Sequence, residues 1–196
     1  EREASLDEIM QYYSEISKKD DFASKDETLK LSLYLIHKDE KRAWESGVIA
    51  IGIKISEEKI RKKSRIHPYA DFNLGLMYFL NGKYSDNIED MDKGIKSLKN
   101  AFIKLNKNPS LIKEKYHKFN YTDAAKSYYY YYAKNKNLEY LVEGIILSEI
   151  AEHYGNTTSY HYLLLGSQYH KLLISMTSSS SESNIRSIIE NSKCDF

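Results

Sequence analysis

The sequence predicts an all-α chain built from antiparallel helix pairs. Three observations predict it. Only 2 prolines and 8 glycines interrupt 196 residues, so helix breakers are scarce. Apolar residues recur at spacings of three and four, as in Leu6, Ile9, Met10, Tyr13 and Ile16, which is the period of an amphipathic helix. Small residues recur at matched positions within 69–105 and again fifty residues on, the mark of an internal repeat.

The first helix spans Ser5 to Ser17. Ser5 with Glu8 three residues later forms a capping box, and the helix is placed to cap the open end of a stack. Lys18 to Lys25 reads as a polar connection. Asp26 to Lys38 is the second helix, with Leu29, Leu33 and Ile36 inward, and Lys41 to Ile55 is its partner, striped by Trp44, Val48, Ile51 and Ile55. Trp44, the single tryptophan, is either a packing residue or a binding hot spot. The basic run Lys59 to Arg65 lacks the interleaved aromatics of a nucleic-acid site and reads as a solvated helix end.

Tyr69 to Leu105 organises the chain. Pro68 opens its first helix, where a missing N–H costs nothing. Ala70, Gly75, Gly94 and Ala101 are small at the places where two backbones must approach, and Leu74, Tyr78, Leu98 and Phe102 fill the space around them. Asn81-Gly82 reads as the stop between the helices, with Gly82 in the left-handed conformation. Asp86, Glu89, Asp90 and Asp92 lack EF-hand spacing and suit the positive end of the following helix.

The pattern recurs. Ala124-Ala125-x-x-Tyr128 repeats Leu74-Gly75-x-x-Tyr78, Gly144 repeats Gly94, and Ala151 repeats Ala101. Gly75 and Gly94 are nineteen residues apart, as are Ala125 and Gly144. Leu165-Gly166-x-x-Tyr169 repeats the first-helix signature again, and Leu31-x-x-Tyr34 with Ala43 and Ala50 is a degenerate form upstream. The expected organisation is one helical-repeat domain over 1–176, with units at 26–56, 69–105 and 119–155 and a half unit at 159–176. Residues 177–196 read as a Ser-rich linker and a short helix carrying Ile185, Ile188 and Ile189. Residues 106–120 are an insert, either an extra helix starting at Pro109 or an extended loop.

Ala70, Leu74, Gly75, Tyr78, Gly82, Asp90, Lys93, Gly94 and Ala101 together resemble the Sel-one-like repeat, a relative of the tetratricopeptide repeat. The sequence departs from that pattern in a longer connection between the helices and in Gly94, where Ala is usual. The resemblance implies a short right-handed α-solenoid of antiparallel helix pairs with a concave surface. It also implies a protein-binding scaffold.

Tyrosine is the outlier, at 18 residues. Tyr128, Tyr129, Tyr130, Tyr131 and Tyr132 are consecutive, and five in a row on a helix cover every side. Two or three must therefore face solvent, where tyrosine offers rigid contact area with a polar tip. These five, with Tyr84 and Trp44, are the candidate protein-binding residues. The alternative is that the tyrosines pack between repeats.

Catalytic and metal chemistry finds no foothold in the local motifs. His153, His161 and His170 are eight and nine residues apart, not the three or four that a helical metal pair needs. Glu149 and His153 share a helix face, as surface pairs often do. There is no nucleophile elbow and no Gly-rich phosphate loop. The single cysteine, Cys194, excludes an intramolecular disulfide. A net charge of +1 points to neither nucleic acid nor an anionic membrane. The longest apolar run, Gly47 to Ile53, is too short for a membrane span. The chain begins at Glu1 without a methionine, which favours a periplasmic product trimmed of a targeting segment over a cytoplasmic one.

The expectation is a non-catalytic protein-binding module without cofactor. Its most specific form is a bacterial immunity protein that binds and neutralises a secreted toxin, in a toxin–antitoxin pair. A regulatory or assembly adaptor is the alternative within the same class. A helical hydrolase using His153 or His161 with a carboxylate is the alternative from another class.

Overall fold

The computed structural model describes residues 4–62, 68–107, 121–153, 159–177 and 182–192, and every element among them is an α-helix. The expected features at Lys63 to Arg65, 108–120, Gly155-Asn156, 178–181 and Cys194 lie outside the described residues. The helices gather into two compact units, residues 1–97 and 98–196.

In the first unit, α1 (Leu6–Ile16) carries the expected capping box. Ser5 N–H donates to Glu8 Oε2 at 2.7 Å and Glu8 N–H to Ser5 Oγ at 3.3 Å. Tyr13 and Ile16 are buried, and α1 packs on α2 (Phe22–Lys38). That second helix starts four residues before the expected Asp26. Asp21 is its cap, accepting from Ser24 N–H at 2.9 Å and from the Ser24 hydroxyl at 2.6 Å.

The buried face of α2 also corrects the expectation. Leu29, Leu33 and Ile36 are only half-buried, while Ser24, Thr28, Ser32 and Leu35 face the core. The hydroxyls are satisfied on their own helix, Thr28 Oγ1 to Ser24 O at 2.7 Å and Ser32 Oγ to Thr28 O at 2.9 Å. Being small, these residues admit the neighbouring helix closely. A Cβ on Gly52 would lie 3.4 Å from Ser32 Cβ.

The expected helix at 41–55 is two helices, α3 (Glu40–Glu45) and α4 (Val48–Lys62). Gly47, at φ +78°, breaks the run. After the break Val48, Ile49, Ile53 and Ile55 are buried and Ile51 is half-buried. Ala50, which with Ala43 marks the degenerate upstream repeat, is exposed. The close approach belongs instead to Gly52, where a Cβ would meet Met77 Sδ at 2.6 Å. Ion pairs tie α2 to α4, Lys25 to Glu58 at 3.0 Å and Lys59 to Asp26 at 2.6 Å.

Pro68 opens α5 (Pro68–Ser85) as expected. The helix runs through Gly82, which is buried and helical and is therefore not the stop. A Cβ there would sit 2.6 Å from Asn87 O and Met91 N, so the glycine serves the tight return of the chain. The turn is made at Asp86, φ 54°. Asn87 then caps α6 (Ile88–Lys107), whose first turn holds Glu89 and Asp90.

In the second unit, Leu98, Ala101, Phe102 and Leu105 of α6 are buried. The remaining helices are α7 (Tyr121–Asn135), α8 (Leu138–His153), α9 (Ser159–Thr177) and α10 (Glu182–Ser192). Ala124, Ala125, Leu141, Leu147 and Ala151 line the contact of α7 with α8. Glu143 is fully buried and accepts from Lys99 Nζ at 2.9 Å. The α10 helix packs on α8 with Ile188 and Ile189 half-buried. The side chain of Ile185 lies outside the described residues.

The α9 helix rests on α7 and α8 through His161, Leu164 and Gln168. Ser148 Oγ donates to Gln168 Oε1 at 2.8 Å, and Gln168 Nε2 reaches Ala125 O at 3.5 Å. Gly166 and Tyr169 therefore do not repeat the roles of Gly75 and Tyr78. Gly166 is exposed with nothing within 4 Å of a Cβ, and Tyr169 is 44% exposed. The helix packs by a different side than its signature implies. Among the described residues no helix is long and apolar enough to cross a membrane.

Candidate protein-binding surface

Helical geometry divides the tyrosine run of α7. At 100° per residue, Tyr128 and Tyr131 fall on the side of Tyr121 and Ala124, the side covered by α8. Tyr128 is wholly buried and Tyr131 is 5% exposed. Tyr140 of α8 is wedged against both, with ring centroids 4.7 Å from Tyr131, edge-on, and 6.3 Å from Tyr128. Two of the five candidate tyrosines are thus core residues and offer nothing to a partner.

Tyr129, Tyr130 and Tyr132 are half-buried, with Tyr129 and Tyr132 along one flank of the buried side and Tyr130 about 100° further round from Tyr129. Tyr129 and Tyr132, one turn apart, stack with centroids 6.4 Å apart and planes at 22°. Burial pushes the Tyr129 phenol up, and neighbouring Tyr132 adds to the shift. The Tyr129 phenol therefore stays a neutral hydrogen-bonding group over the physiological range. The result is an aromatic platform whose rings are already ordered by each other, which lowers the entropy lost on contact. Lys126, one turn earlier on the same side of α7, lies 5.9 Å from the ring centroid of Tyr160 on α9.

Trp44 and Tyr84, the other two candidates, belong to the first unit. Their rings stack at 5.8 Å and 27°. Lys83 Nζ lies 4.7 Å from the Tyr84 centroid, and Glu40 accepts from Lys83 at 2.9 Å and from the Tyr84 hydroxyl at 3.1 Å. Both rings are half-buried against the core formed by Ala43, Val48 and Leu80. This cluster closes α3 onto α5.

Of the small repeat residues, Gly75, Gly82, Gly94, Ala101, Ala125, Gly144 and Ala151 are buried and Ala70 is half-buried. Leu74 is buried, while Tyr78 is half-buried and donates its hydroxyl hydrogen to Glu57.

The histidines are dispersed. His153 and His170 are exposed, whereas His161 is buried with its Nδ1 3.4 Å from the Thr122 hydroxyl. Glu149, paired with His153 by spacing alone, accepts from the Tyr169 hydroxyl. Ser148 spends its hydroxyl on Gln168. Among the described residues there is no group of three or more His, Cys, Asp or Glu that could hold a metal ion.

Two features escaped the sequence reading. One is the buried polar set Thr122, His161, Gln168 and Ser148, which has no local motif. The other is the solvent face of α9, where Tyr160, Tyr162, Leu163, Leu173 and Ile174 are 50–70% exposed. Its signal was present as seven-residue spacings along the helix.

Comparison of the chain with protein-family models, with curated proteins and with solved structures gives no match.

Proposed function

We propose that the chain is a non-catalytic protein-binding module that recognises its partner through the half-buried tyrosines of α7, the stacked pair Tyr129–Tyr132 with Tyr130 beside it. The stacked pair Tyr129–Tyr132 carries this reading, since two half-buried rings are held ready along one flank of α7 while Tyr128 and Tyr131 anchor that helix in the core. Such a surface combines rigid apolar area with hydroxyls that hydrogen-bond to a polar rim.

The scaffold we propose is a short right-handed α-solenoid of Sel-one-like helix pairs. Two pairs share one construction, Gly75 with Gly94 and Ala125 with Gly144. Of partners, we favour a toxic protein that this chain neutralises as an immunity protein, ahead of an adaptor role.

The test is capture from lysate of the source organism on the immobilised chain, with a parallel column carrying Tyr129→Ala/Tyr130→Ala/Tyr132→Ala. A stoichiometric partner that binds the first and not the second supports the reading, and its toxicity when expressed alone separates immunity from adaptor. Equal capture by both columns would sink the platform as the binding surface.

A further inference from the structure

The α9 helix is held to its unit along one side only. Opposite His161, Leu164 and Gln168 lies a broad open face. Leu163, Gly166, His170 and Leu173 run down its middle at alternating spacings of three and four, and all four are exposed. Tyr162, Tyr169 and Met176, seven apart, flank the seam on one side, and Tyr160, Ser167 and Ile174, also seven apart, flank it on the other. This is the seam-and-flank pattern by which one helix pairs with another. Three tyrosines at 44–54% exposure, each worth roughly 200 Å² of ring surface, present roughly 300 Å². Leu163, Leu173, Ile174 and Met176, 42–70% exposed, extend the patch well beyond the ~400 Å² that marks an interaction site.

The edges of this face carry opposite charge. On the Tyr169 side stands α8, with exposed Glu149 accepting from the Tyr169 hydroxyl and exposed Glu152 close enough to raise its pKa. On the Tyr160 side stand Lys126 of α7, over the Tyr160 ring, and exposed Lys171 of α9 itself.

We infer that this face joins a second copy of the chain, α9 against α9 in parallel, about a two-fold axis running along the helices. Rotation about that axis keeps the helix direction and exchanges left with right. It therefore sets the Glu149–Glu152 edge of each copy beside the Lys126–Lys171 edge of the other. An antiparallel two-fold would instead set carboxylates beside carboxylates. In the parallel register each seam residue meets its own counterpart, and Gly166, open to solvent, lets the two backbones approach. The area is of the order of the ~800 Å² per partner in a standard interface. A membrane surface is the weaker occupant, since a helix lying on lipid is rich in Lys and Arg and α9 carries Lys171 alone.

The experiment is sedimentation equilibrium on the full chain at tens of micromolar, with Leu173→Glu alongside. Residue 173 is exposed, so the variant keeps its fold, and circular dichroism checks this. The wild type sediments as a dimer and Leu173→Glu as a monomer, with association weakened at least ~100-fold. Direction is read by cross-linking on a Cys194→Ser background. Leu163→Cys and Leu173→Cys each oxidise to a dimer linked to its own copy. A monomeric wild type, or a dimer indifferent to Leu173→Glu, overturns the proposal. So does cross-linking only when the two cysteine variants are mixed, which would mean antiparallel pairing. Binding of a monomer to anionic phosphatidylserine vesicles through Leu163 and Leu173 would assign the face to lipid and overturn it equally.

Discussion

Gly94 sits directly against the backbone of Gly75 and Phe79. A Cβ on Gly94 would lie 2.8 Å from the Gly75 carbonyl oxygen and 2.6 Å from the Phe79 amide nitrogen. In the second unit a Cβ on Gly144 would lie 3.4 Å from the carbonyl oxygen of Ala125, the residue nineteen positions before it. The same spacing builds the same kind of contact twice, tighter in the first instance because Gly75 has no side chain of its own.

Alanine substitutions should rank accordingly. Gly94→Ala forces backbone apart and should cost about 2–3 kcal/mol. Gly144→Ala meets the end of Gln168 at 3.0 Å, which can shift, and the Tyr128 Cβ at 3.3 Å, and should cost about 1 kcal/mol or less. Gly166→Ala meets nothing within its own chain and, with all three variants made on the Leu173→Glu background to remove the seam contact, should stabilise by about 0.5–1 kcal/mol through helix propensity. Urea melts of the three variants measure the order, and a Gly166→Ala cost equal to that of Gly94→Ala would refute it.

The tyrosines should separate into two classes. Tyr128→Ala removes a wholly buried ring and should cost about 3–5 kcal/mol. Tyr130→Ala, half-buried, should cost about 1 kcal/mol or less. Thermal denaturation followed by circular dichroism distinguishes them, and equal losses would place Tyr130 in the core as well.

Lys99 offsets the fully buried carboxylate of Glu143 at 2.9 Å. Lys99→Met should destabilise the chain by about 3 kcal/mol, the low end for a broken buried pair, because Lys99 itself is 30% exposed. The double variant with Glu143→Leu should recover most of the loss. No recovery would mean that Glu143 matters through contacts other than Lys99.

Tyr78 sets an alkaline limit. Burial, followed by the hydrogen bond to Glu57, pushes its phenol up to about 12. A folded-state pKa above the unfolded value of about 10 favours the protonated form. The contribution is therefore whole below pH about 10 and is lost as pH rises through about 12. Tyr78→Phe should be less stable at neutral pH by about 1 kcal/mol and should show a flatter decline over that alkaline window. Parallel pH profiles of wild type and variant would refute the assignment.

The cap of α1 was legible in the sequence, and that of α2 was missed. Ser5 with Glu8 needs only residues three apart, and Asp21 was an equally local signal that the polar stretch around it obscured. Gly82 and Gly47 show the opposite case. Both are glycines near a helix end, yet only Gly47 takes positive φ, while Gly82 stays helical because Asn87 and Met91 return across it. No residue in the local sequence separates the two.

By itself the sequence determined that the chain is helical, where most of the helices lie, and that small residues nineteen apart join α5 to α6 and α7 to α8. These follow from periods and spacings that a helix imposes on its own residues. Only the tertiary structure decided which face each helix buries. Ser24, Thr28 and Ser32 turn inward on α2 because α4 comes close enough to need small side chains. Tyr128 and Tyr131 turn inward on α7 because Tyr140 fills the space beside them. On α9, His161 and Gln168 are covered while Leu163 and Leu173 are not. A period offers a helix several candidate faces, and burial falls to the one that a neighbouring element covers.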